Sequence, residues 1–225
     1  MEEAVVIFAF GPVHITATVV TTWGMLLVLG VCARLATRDL STDAPGMLQT
    51  ALEGAVLAVE NAIEGLVAGR SALLLPFIGT LWLFVGVANL TGLVPGLHSP
   101  TGDLSTTAAL AFLVFLSVHW FGIRAVGFKA YARHYLSPNP ILLPFHLLGE
   151  LSRTLALAVR LFGNIMSLEM AALLILLVAG LLVPVPILML HIVEALVQAY
   201  IFGTLTLIYI AGGMEAQQEQ SKEKE

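Results

Sequence analysis

An apolar stretch that covers residues 143–182 is the feature of this sequence that most limits the folds open to it. Arg160 lies near the middle of this stretch, in the segment Leu-Ala-Val-Arg-Leu-Phe-Gly-Asn. A guanidinium keeps its proton in proteins, and a charge at the centre of a bilayer costs from about 2.5 to above 10 kcal/mol. A chain keeps such a residue only where water, a carboxylate or a moving partner offsets the cost. We therefore treat Arg160 as a functional-site residue.

The composition indicates an integral membrane protein. Hydrophobic residues make up 58% of the 225 residues and charged residues 11%, whereas a soluble domain is about 25% charged. We predict an all-α polytopic fold in which residues 1–214 form a single integral membrane domain. Residues 215–225 form a charged, solvated tail.

Five segments are long and apolar enough to cross a bilayer as helices. They cover residues 14–35, 72–94, 104–126, 143–182 and 187–212. A helix of about 40 residues would be about 60 Å long, about twice the thickness of the hydrocarbon layer. The fourth segment is therefore a strongly inclined helix or a helix broken near Gly163. Pro184 and Pro186 favour a turn after it, so we expect the last two helices to form a long, tilted hairpin.

Residues 46–68, in the first long loop, have the pattern of an amphipathic helix. Apolar residues recur at helical spacing on one side, and an acidic stripe lies on the other. The apolar positions are Leu52, Val56, Val59, Ile63 and Leu66, and the acidic ones are Glu53, Glu60 and Glu64. An acidic face suits anionic lipid poorly. The helix either meets a partner subunit or rests on the edge of the bilayer.

The basic residues predict the orientation of the chain. They flank the loops after the first and third segments or lie in the tail: Arg34, Arg38, Arg70, Arg124, Lys129, Arg133, Lys222 and Lys224. The loops at residues 95–103 and 182–186 contain no Lys or Arg. Because cytoplasmic loops are enriched in basic residues, we predict an N-terminus outside the cell. The amphipathic helix and the C-terminal tail are then on the cytoplasmic side.

Polar residues of the fourth segment fall on different sides of one helix. Arg153 and Arg160 are seven residues apart and nearly superpose, and Asn164 is one turn further on. Glu150 precedes Arg153 by three positions, which favours a pair between them. Glu169 follows Arg160 by nine residues, about 180° round the helix and about 13 Å along it, so it cannot neutralise that arginine. We therefore predict that Arg160 faces something other than its own chain.

His191, Glu194 and Gln198 form a polar stripe on the last segment, because they are spaced by three and four residues. Titratable groups followed by an amide are typical of an aqueous half-channel, which takes up and releases protons. The alternative is a structural role in hydrogen bonding between helices. Asn89 and Asp103 flank the outer loop and are candidates for a channel entrance, although Asp103 could instead cap the helix that follows it.

The sequence contains no motif of an enzyme active site. Residues 191–194 read His-Ile-Val-Glu, which is not the His-Glu-x-x-His of zinc proteases. The sequence also lacks a phosphate-binding glycine loop and the Gly-x-Ser-x-Gly elbow of hydrolases. We predict a non-catalytic protein with no metal ion, no cofactor and no nucleic-acid partner. His119 and His146 stand singly on apolar segments, and we interpret them as satisfied core or interface histidines.

Two of the polar segments resemble a known family. Residues 150–164 read Glu-Leu-Ser-Arg-Thr-Leu-Ala-Leu-Ala-Val-Arg-Leu-Phe-Gly-Asn, with Glu169 soon after, and resemble the signature of subunit a of rotary F-type ATP synthases. The segment from His191 through Gln198-Ala-Tyr-Ile-Phe-Gly-Thr-Leu-Thr-Leu-Ile-Tyr resembles the last helix of that subunit. Weaker similarity extends to Asn89 and to residues 45–49, 100–107 and 136–138, so the resemblance covers most of the chain.

This resemblance implies a stator beside a rotating ring of c subunits, each of which carries an ion-binding carboxylate. It implies that Arg160 is the essential arginine between two aqueous half-channels, with Gln198 and Asn164 near it. Glu169 and His191 would line the outer half-channel. Glu194 departs from the family pattern, and it either extends the ion path or replaces another titratable group.

The resemblance also implies partners and a location. The partners are c-ring subunits, peripheral-stalk b subunits and lipid, in a hetero-oligomeric ATP synthase of the bacterial inner membrane, with the ATP chemistry on other subunits. A proton is the expected coupling ion, and sodium is the alternative. Two other classes of protein stay open on the sequence: a stand-alone cation carrier and a non-conducting membrane scaffold.

Overall fold

The computed structural model of the chain describes residues 6–10, 13–38, 40–41, 45–94, 97–128, 131, 143–179 and 185–222. Two short strands, β1 (Val6–Phe10) and β2 (Val13–Thr16), precede the helices. The helices are α1 (Ala17–Ala36), α2 (Met47–Glu64), α3 (Ser71–Thr91), α4 (Leu104–Val126), α5 (Leu143–Ala179) and α6 (Val185–Lys222). A 3₁₀ turn at Pro100–Gly102 lies between α3 and α4.

Five of the helices are long and apolar enough to cross a membrane, which confirms the predicted fold class. They are α1, α3, α4, α5 and α6. The longest candidate span is α5, which runs through Gly163 without interruption, so the alternative of a broken helix is wrong. Its 37 residues correspond to about 55 Å, well above the hydrocarbon thickness, and such a helix fits a bilayer by tilting. Pro184 lies outside the described residues, and Pro186 is the second residue of α6, where a missing N–H is tolerated.

The N-terminal hairpin was not predicted from the sequence. Strands β1 and β2 pair antiparallel, with Val6 opposite Thr16 and Phe10 opposite Val13, and the register is irregular between residues 6 and 8. Residues 14–16 therefore belong to a strand and not to the first membrane helix, which begins at Ala17. β-Branched residues at positions 13, 15 and 16 favour this extended backbone.

Helices α3, α4, α5 and α6 form the packed centre of the fold. Two clusters of buried side chains lie between them. One contains Leu74, Ile78, Phe121, Leu207 and Ile210, together with Ile63 at the end of α2; the other contains Leu81, Val85, Val114, Leu157, Leu161 and Phe202. Helix α1 is peripheral, since Met25 is its one buried side chain among the described residues.

Gly203 allows a close approach between α3 and α6. A Cβ atom at this position would overlap the indole ring of Trp82 on α3. The same indole packs against the ring of Tyr200 in a tilted arrangement, with the ring centroids 5.5 Å apart and an interplanar angle of 46°. Only glycine leaves room for this arrangement, so a small residue in α6 fixes the contact that holds the two helices together.

The amphipathic helix predicted at residues 46–68 is α2, and only its C-terminal end is covered. Ile63 is fully buried against α3, and Val59 packs beside it. Met47 at the other end is 94% exposed, and Leu52 and Val56 are also exposed. Most of the apolar side of this helix therefore has no partner within the described part of the chain.

Candidate functional site

Arg160 lies on α5 at the edge of the packed surface. Leu157 and Leu161 on either side of it are buried at 2% and 0% exposure, whereas the arginine is exposed. Ala156 and Val159 are exposed beside it, and we call these three residues the Arg160 surface. No hydrogen bond or ion pair joins the guanidinium to any residue in the described part of the chain. The charge therefore points away from the packed interior of its own chain.

A pair of side-chain amides joins α5 to α6 one turn from the arginine. Asn164 Nδ2 donates to Gln198 Oε1 at 2.9 Å. Gln198 is only 1% exposed, and its Nε2 group has no hydrogen-bond partner among the described residues. An unpaired buried donor is costly, typically about 1–3 kcal/mol. The site thus holds a spare N–H donor close to Arg160.

The carboxylate of Glu169 lies among backbone and small residues of the loop between α3 and α4. Its Oε1 accepts from the backbone N–H of Ser99 at 3.1 Å. Gly92 and Gly102 lie against it, since a Cβ atom at Gly92 would be 2.8 Å from Oε1 and one at Gly102 would be 3.2 Å from Oε2. Two glycines therefore make room for one carboxylate.

Buried polar side chains continue from this carboxylate toward α6. Thr101 Oγ1 donates to Asn89 Oδ1 at 2.6 Å and lies 2.7 Å from Ser99 Oγ. Asn89 Nδ2 donates to the carbonyl of Ala195 on α6 at 3.3 Å. Asn89 and Thr101 are both 0% exposed. They form one network that ties the loop to α3 and α6.

His191 completes this network. Its Nε2 lies 3.2 Å from the carbonyl oxygen of Asn89, which can only accept, so Nε2 carries a proton. His191 is 2% exposed, and its ring lies beside Gly92, as the carboxylate of Glu169 does. We call Asn89, Gly92, Ser99, Thr101, Gly102, Glu169 and His191 the Glu169 cluster.

The predicted polar stripe on α6 is divided between these two places. His191 belongs to the Glu169 cluster, and Gln198 belongs to the amide pair near Arg160. Glu194 lies between them in sequence, is half-buried, and has no hydrogen bond or ion pair to another described residue. The structure therefore brings the predicted residues into two groups, with Glu194 alone at an intermediate height on α6.

The two candidates for a channel entrance, Asp103 and Asn89, lie in different surroundings. Asp103 is the N-cap of α4, where its Oδ1 accepts from the backbone N–H and the hydroxyl of Ser105, both at 2.9 Å. Asp103 therefore has the capping role, the alternative to a place at a channel entrance. Asn89, the other entrance candidate, is buried inside the Glu169 cluster.

Ser99, Thr101 and the two glycines of the cluster were not singled out from the sequence. They lie in a loop, and helical periodicity says nothing about which side chains a loop brings together. The run Ser-Pro-Thr-Gly at residues 99–102 was the available signal, because small and hydroxyl residues around a proline are typical of a turn with hydrogen bonds of its own.

The other half of α5 carries a second set of polar contacts. The expected pair of Glu150 with Arg153 is replaced by a contact across helices, in which Glu150 Oε2 lies 3.3 Å from His119 Nε2 on α4. Arg153 instead lies over the ring of Tyr209 on α6, with 5.8 Å between Cζ and the ring centroid. The spacing of three residues allowed the first pair, but a histidine of another helix is placed better to meet the carboxylate.

Five apolar helices, half-buried carboxylates and buried amide groups between them, and an exposed arginine on the longest candidate span define a polytopic membrane protein with polar functional groups inside its spans. A family model for the ATP synthase A chain matches residues 18–211. The chain belongs to this family. It is therefore a multi-pass subunit of the membrane sector of a hetero-oligomeric ATP synthase.

Relatives of known name cover nearly the whole chain. ATP synthase subunit a 2 of Pelobacter propionicus is 60% identical over 225 residues, which is 100% of this chain and 98% of the relative. ATP synthase subunit a 1 of Hahella chejuensis is 64% identical over 205 residues, 91% of this chain and 87% of the relative. ATP synthase subunit a of Legionella pneumophila (strain Corby) is 53% identical over 215 residues, 96% of this chain and 94% of the relative.

Proposed function

We propose that this chain is the ion-translocating stator of its ATP synthase and that Arg160 is the electrostatic gate between two aqueous half-channels. The observation that carries the proposal is an exposed arginine on a membrane-spanning helix with no partner on its own chain within the described residues. A charge in that position is retained only if a partner meets it. A neighbouring ring of c subunits with membrane carboxylates supplies such a partner.

The gate works by favouring one charge state. A fixed guanidinium stabilises the ionised form of a carboxylate that passes it, so the ring releases its ion before it turns past Arg160. An arginine suits this role because its charge is permanent, even in a dry site. An ion that crosses the whole membrane gains about 2.3 kcal/mol per 100 mV, and this energy becomes torque on the ring.

The Glu169 cluster is proposed to form the half-channel on the outer side. Glu169 and His191 are titratable, lie beside each other at Gly92, and are linked to a polar loop through Ser99 and Asn89. Such groups can pass an ion between bulk water and the ring. Glu169 is nine residues from Arg160, about 13 Å along α5, so a further group is needed between them.

Glu194 is proposed to be that group. It is half-buried on α6, three residues after His191 and four before Gln198. Its place on the helix puts it between the Glu169 cluster and the amide pair. Asn164, which is half-buried, is proposed to lie near the ring beside Arg160, and the buried Gln198 is proposed to act close to it by accepting the hydrogen bond from Asn164.

The orientation and partners follow from the same proposal. The N-terminus lies outside and the C-terminus in the cytoplasm of the bacterial cell, which places every predicted basic cluster inside. The exposed apolar side of α2 is then cytoplasmic and available to the peripheral-stalk b subunits. The subunit itself is not catalytic. The proposed ion is the proton, with sodium as the alternative for the same path.

The test is the variant Arg160→Ala in the intact ATP synthase, measured in inverted membrane vesicles. We expect ATP-driven proton pumping to fall to background, because the ring carboxylate is no longer discharged between the half-channels. The complex should still assemble, since the exposed guanidinium makes no hydrogen bond or ion pair with any described residue of the chain. Arg34→Ala, which removes another exposed arginine from α1, is the matched control and should pump normally. Coupled pumping in Arg160→Ala would remove the proposal.

A further inference from the structure

Asn89 is buried inside the Glu169 cluster and bonds to two other parts of the chain. Its Oδ1 accepts from Thr101 Oγ1 at 2.6 Å, and its Nδ2 donates to the carbonyl oxygen of Ala195 at 3.3 Å. Its own backbone carbonyl accepts from His191 Nε2 at 3.2 Å. Both ends of the side-chain amide and the backbone carbonyl therefore have partners on other elements, which are the 3₁₀ turn and α6.

The two side-chain contacts require an amide. The carbonyl of Ala195 can only accept, so the nitrogen of Asn89 faces α6 and the oxygen faces the hydroxyl of Thr101. A carboxylate in the same place would set an oxygen against the carbonyl of Ala195, and an aliphatic side chain would remove the acceptor of the Thr101 hydrogen. Asparagine therefore suits both partners at once.

The contact with Thr101 fixes the turn that bonds to Glu169. Ser99, two residues before Thr101, donates through its Oγ to the carbonyl oxygen of Ala88 at 2.8 Å. Residues 88 and 89 are neighbours on α3, so the turn is fastened to this helix at two adjacent points. Ser99 then presents its backbone N–H to Glu169 Oε1 at 3.1 Å. A change at Asn89 is therefore passed to the carboxylate through Thr101 and Ser99.

The other two contacts fix α6 and with it His191. His191 and Ala195 are four residues apart, so they lie on the same face of α6, about one turn from each other. Asn89 bonds to both, which sets the height and rotation of α6 against α3. Gly92, about one turn further along α3, lies against both titratable groups, since a Cβ there would be 2.8 Å from Glu169 Oε1 and 3.6 Å from His191 Cε1. Asn89 thus determines how the carboxylate and the imidazole are placed relative to each other.

We propose that Asn89 is a positioning residue for ion transfer through the Glu169 cluster. This proposal rests on the function proposed above. An amide does not titrate near neutral pH, so Asn89 acts only by holding Glu169 and His191 in the places from which they bind and release the ion. Loss of either side-chain contact lets the turn or α6 move, and a displacement of about 1 Å is enough to slow a transfer that depends on geometry. Asn89 is then an internal clamp and not part of a channel entrance.

The test uses Thr101→Val and Asn89→Asp in the intact ATP synthase, measured in inverted membrane vesicles. Thr101→Val nearly keeps the shape of the side chain and removes the donor to Asn89 Oδ1, whereas Asn89→Asp removes the donor to Ala195. We expect ATP-driven proton flux to fall about threefold and about tenfold, respectively, with the ratio of protons moved to ATP hydrolysed unchanged. Thr101→Ser keeps the hydroxyl and should retain most of the flux.

Combination with Glu169→Gln separates positioning from a general loss of packing. Where the carboxylate is already absent its placement no longer matters, so Thr101→Val should cause no further loss of flux in the Glu169→Gln complex. Thr206→Val is the matched control, because Thr206 is also 0% exposed but donates to the carbonyl of Phe202 in its own helix at 2.8 Å. It should leave flux unchanged in both backgrounds.

The proposal is overturned if both Thr101→Val and Asn89→Asp keep the wild-type flux. It is also overturned if Thr101→Val slows the Glu169→Gln complex as much as it slows the wild type, since the hydroxyl would then act elsewhere. If Asn89→Asp prevents assembly, Thr101→Val and Thr101→Ser decide, and equal flux in these two contradicts the proposal. Loss of pumping in Arg160→Ala together with normal flux in Thr101→Val would overturn the positioning role alone and leave the proposed function in place.

Discussion

Glu169 and Arg160 lie on the same helix, but Glu169 has polar partners on its own chain and Arg160 has none among the described residues. The carboxylate of Glu169 accepts from the backbone N–H of Ser99 and lies against Gly92, as the imidazole of His191 does. Arg160, about 13 Å away along the helix, has none of these among the described residues. A cluster whose polar groups bond to one another can be formed by a single subunit. An unpaired charge in a membrane span needs a partner group on a second subunit.

The comparison also separates two kinds of mutational effect. Changing a group whose partners are on the same chain alters a path that water and neighbouring residues can partly replace. Changing a group whose partner lies on the rotating ring removes the discharge of the ring carboxylate, and transport stops. Substitutions at Arg160 and in the Glu169 cluster should therefore differ in their effects on transport.

Replacement of Arg160 by lysine should have the largest effect. Lysine carries the same formal charge, but an ammonium loses its proton readily when it is desolvated, and its single charged atom cannot reproduce the planar fork of donors. We expect ATP-driven proton pumping by Arg160→Lys to fall to background while the complex assembles. The measurement is fluorescence quenching of a pH-sensitive dye in inverted vesicles.

The matched control for this variant is Arg124→Lys, which changes another exposed arginine near the end of α4. It should pump at the wild-type rate. Normal pumping by Arg160→Lys would mean that any positive group suffices at the Arg160 surface, and the argument from a permanent charge would have to be given up.

Most of the fold could be predicted from the sequence, because a bilayer allows few backbone structures to cross it. Each span had to be an apolar helix, and α4 begins and ends where the apolar run does. Helical periodicity also placed Arg160 and Glu169 on different sides of α5. The hairpin before α1 was missed, since an apolar run beside a membrane helix reads as part of it.

The partners of the site residues were harder to predict than the residues themselves. Spacing along α5 suggested that Glu150 meets Arg153, but the carboxylate lies against His119, which is 31 residues away in sequence and adjacent only in the folded bundle. The same limit applies to Ser99 and Thr101. Contacts between helices and loops depend on how the bundle closes, and a periodic pattern within one helix contains no information on that.

Changes within the Glu169 cluster should slow transport without uncoupling it. Glu169→Gln keeps an oxygen that can accept from Ser99, but it cannot bind and release a proton. His191→Ala removes the imidazole that contacts the carbonyl of Asn89. We expect each variant to pump about tenfold more slowly, with the ratio of protons moved to ATP hydrolysed unchanged. Proton flux and ATP hydrolysis measured on the same vesicles give this ratio.

Two outcomes would change the comparison. Unchanged flux in both variants would place the outer half-channel elsewhere in the subunit. A lost coupling ratio would show that the Glu169 cluster acts as a gate, and the distinction from the Arg160 surface would fail.

Gly92→Ala should have the smallest effect, because it moves the carboxylate and leaves its chemistry intact. The added Cβ would lie 2.8 Å from Glu169 Oε1 and 3.2 Å from the Cβ of Ser99, so the side chain of Glu169 has to shift. Crowding of this kind costs about 1–3 kcal/mol in a packed site. We expect flux to fall about threefold and the solubilised complex to lose this subunit at a lower temperature. Gly79→Ala is the control, because a Cβ there meets nothing within 4 Å and α3 gains a better helix former. Normal transport by Gly92→Ala, together with slow transport by Glu169→Gln, would contradict this expectation. The carboxylate would then be needed for its proton and not for its exact position, because water in the half-channel could reach it after a shift.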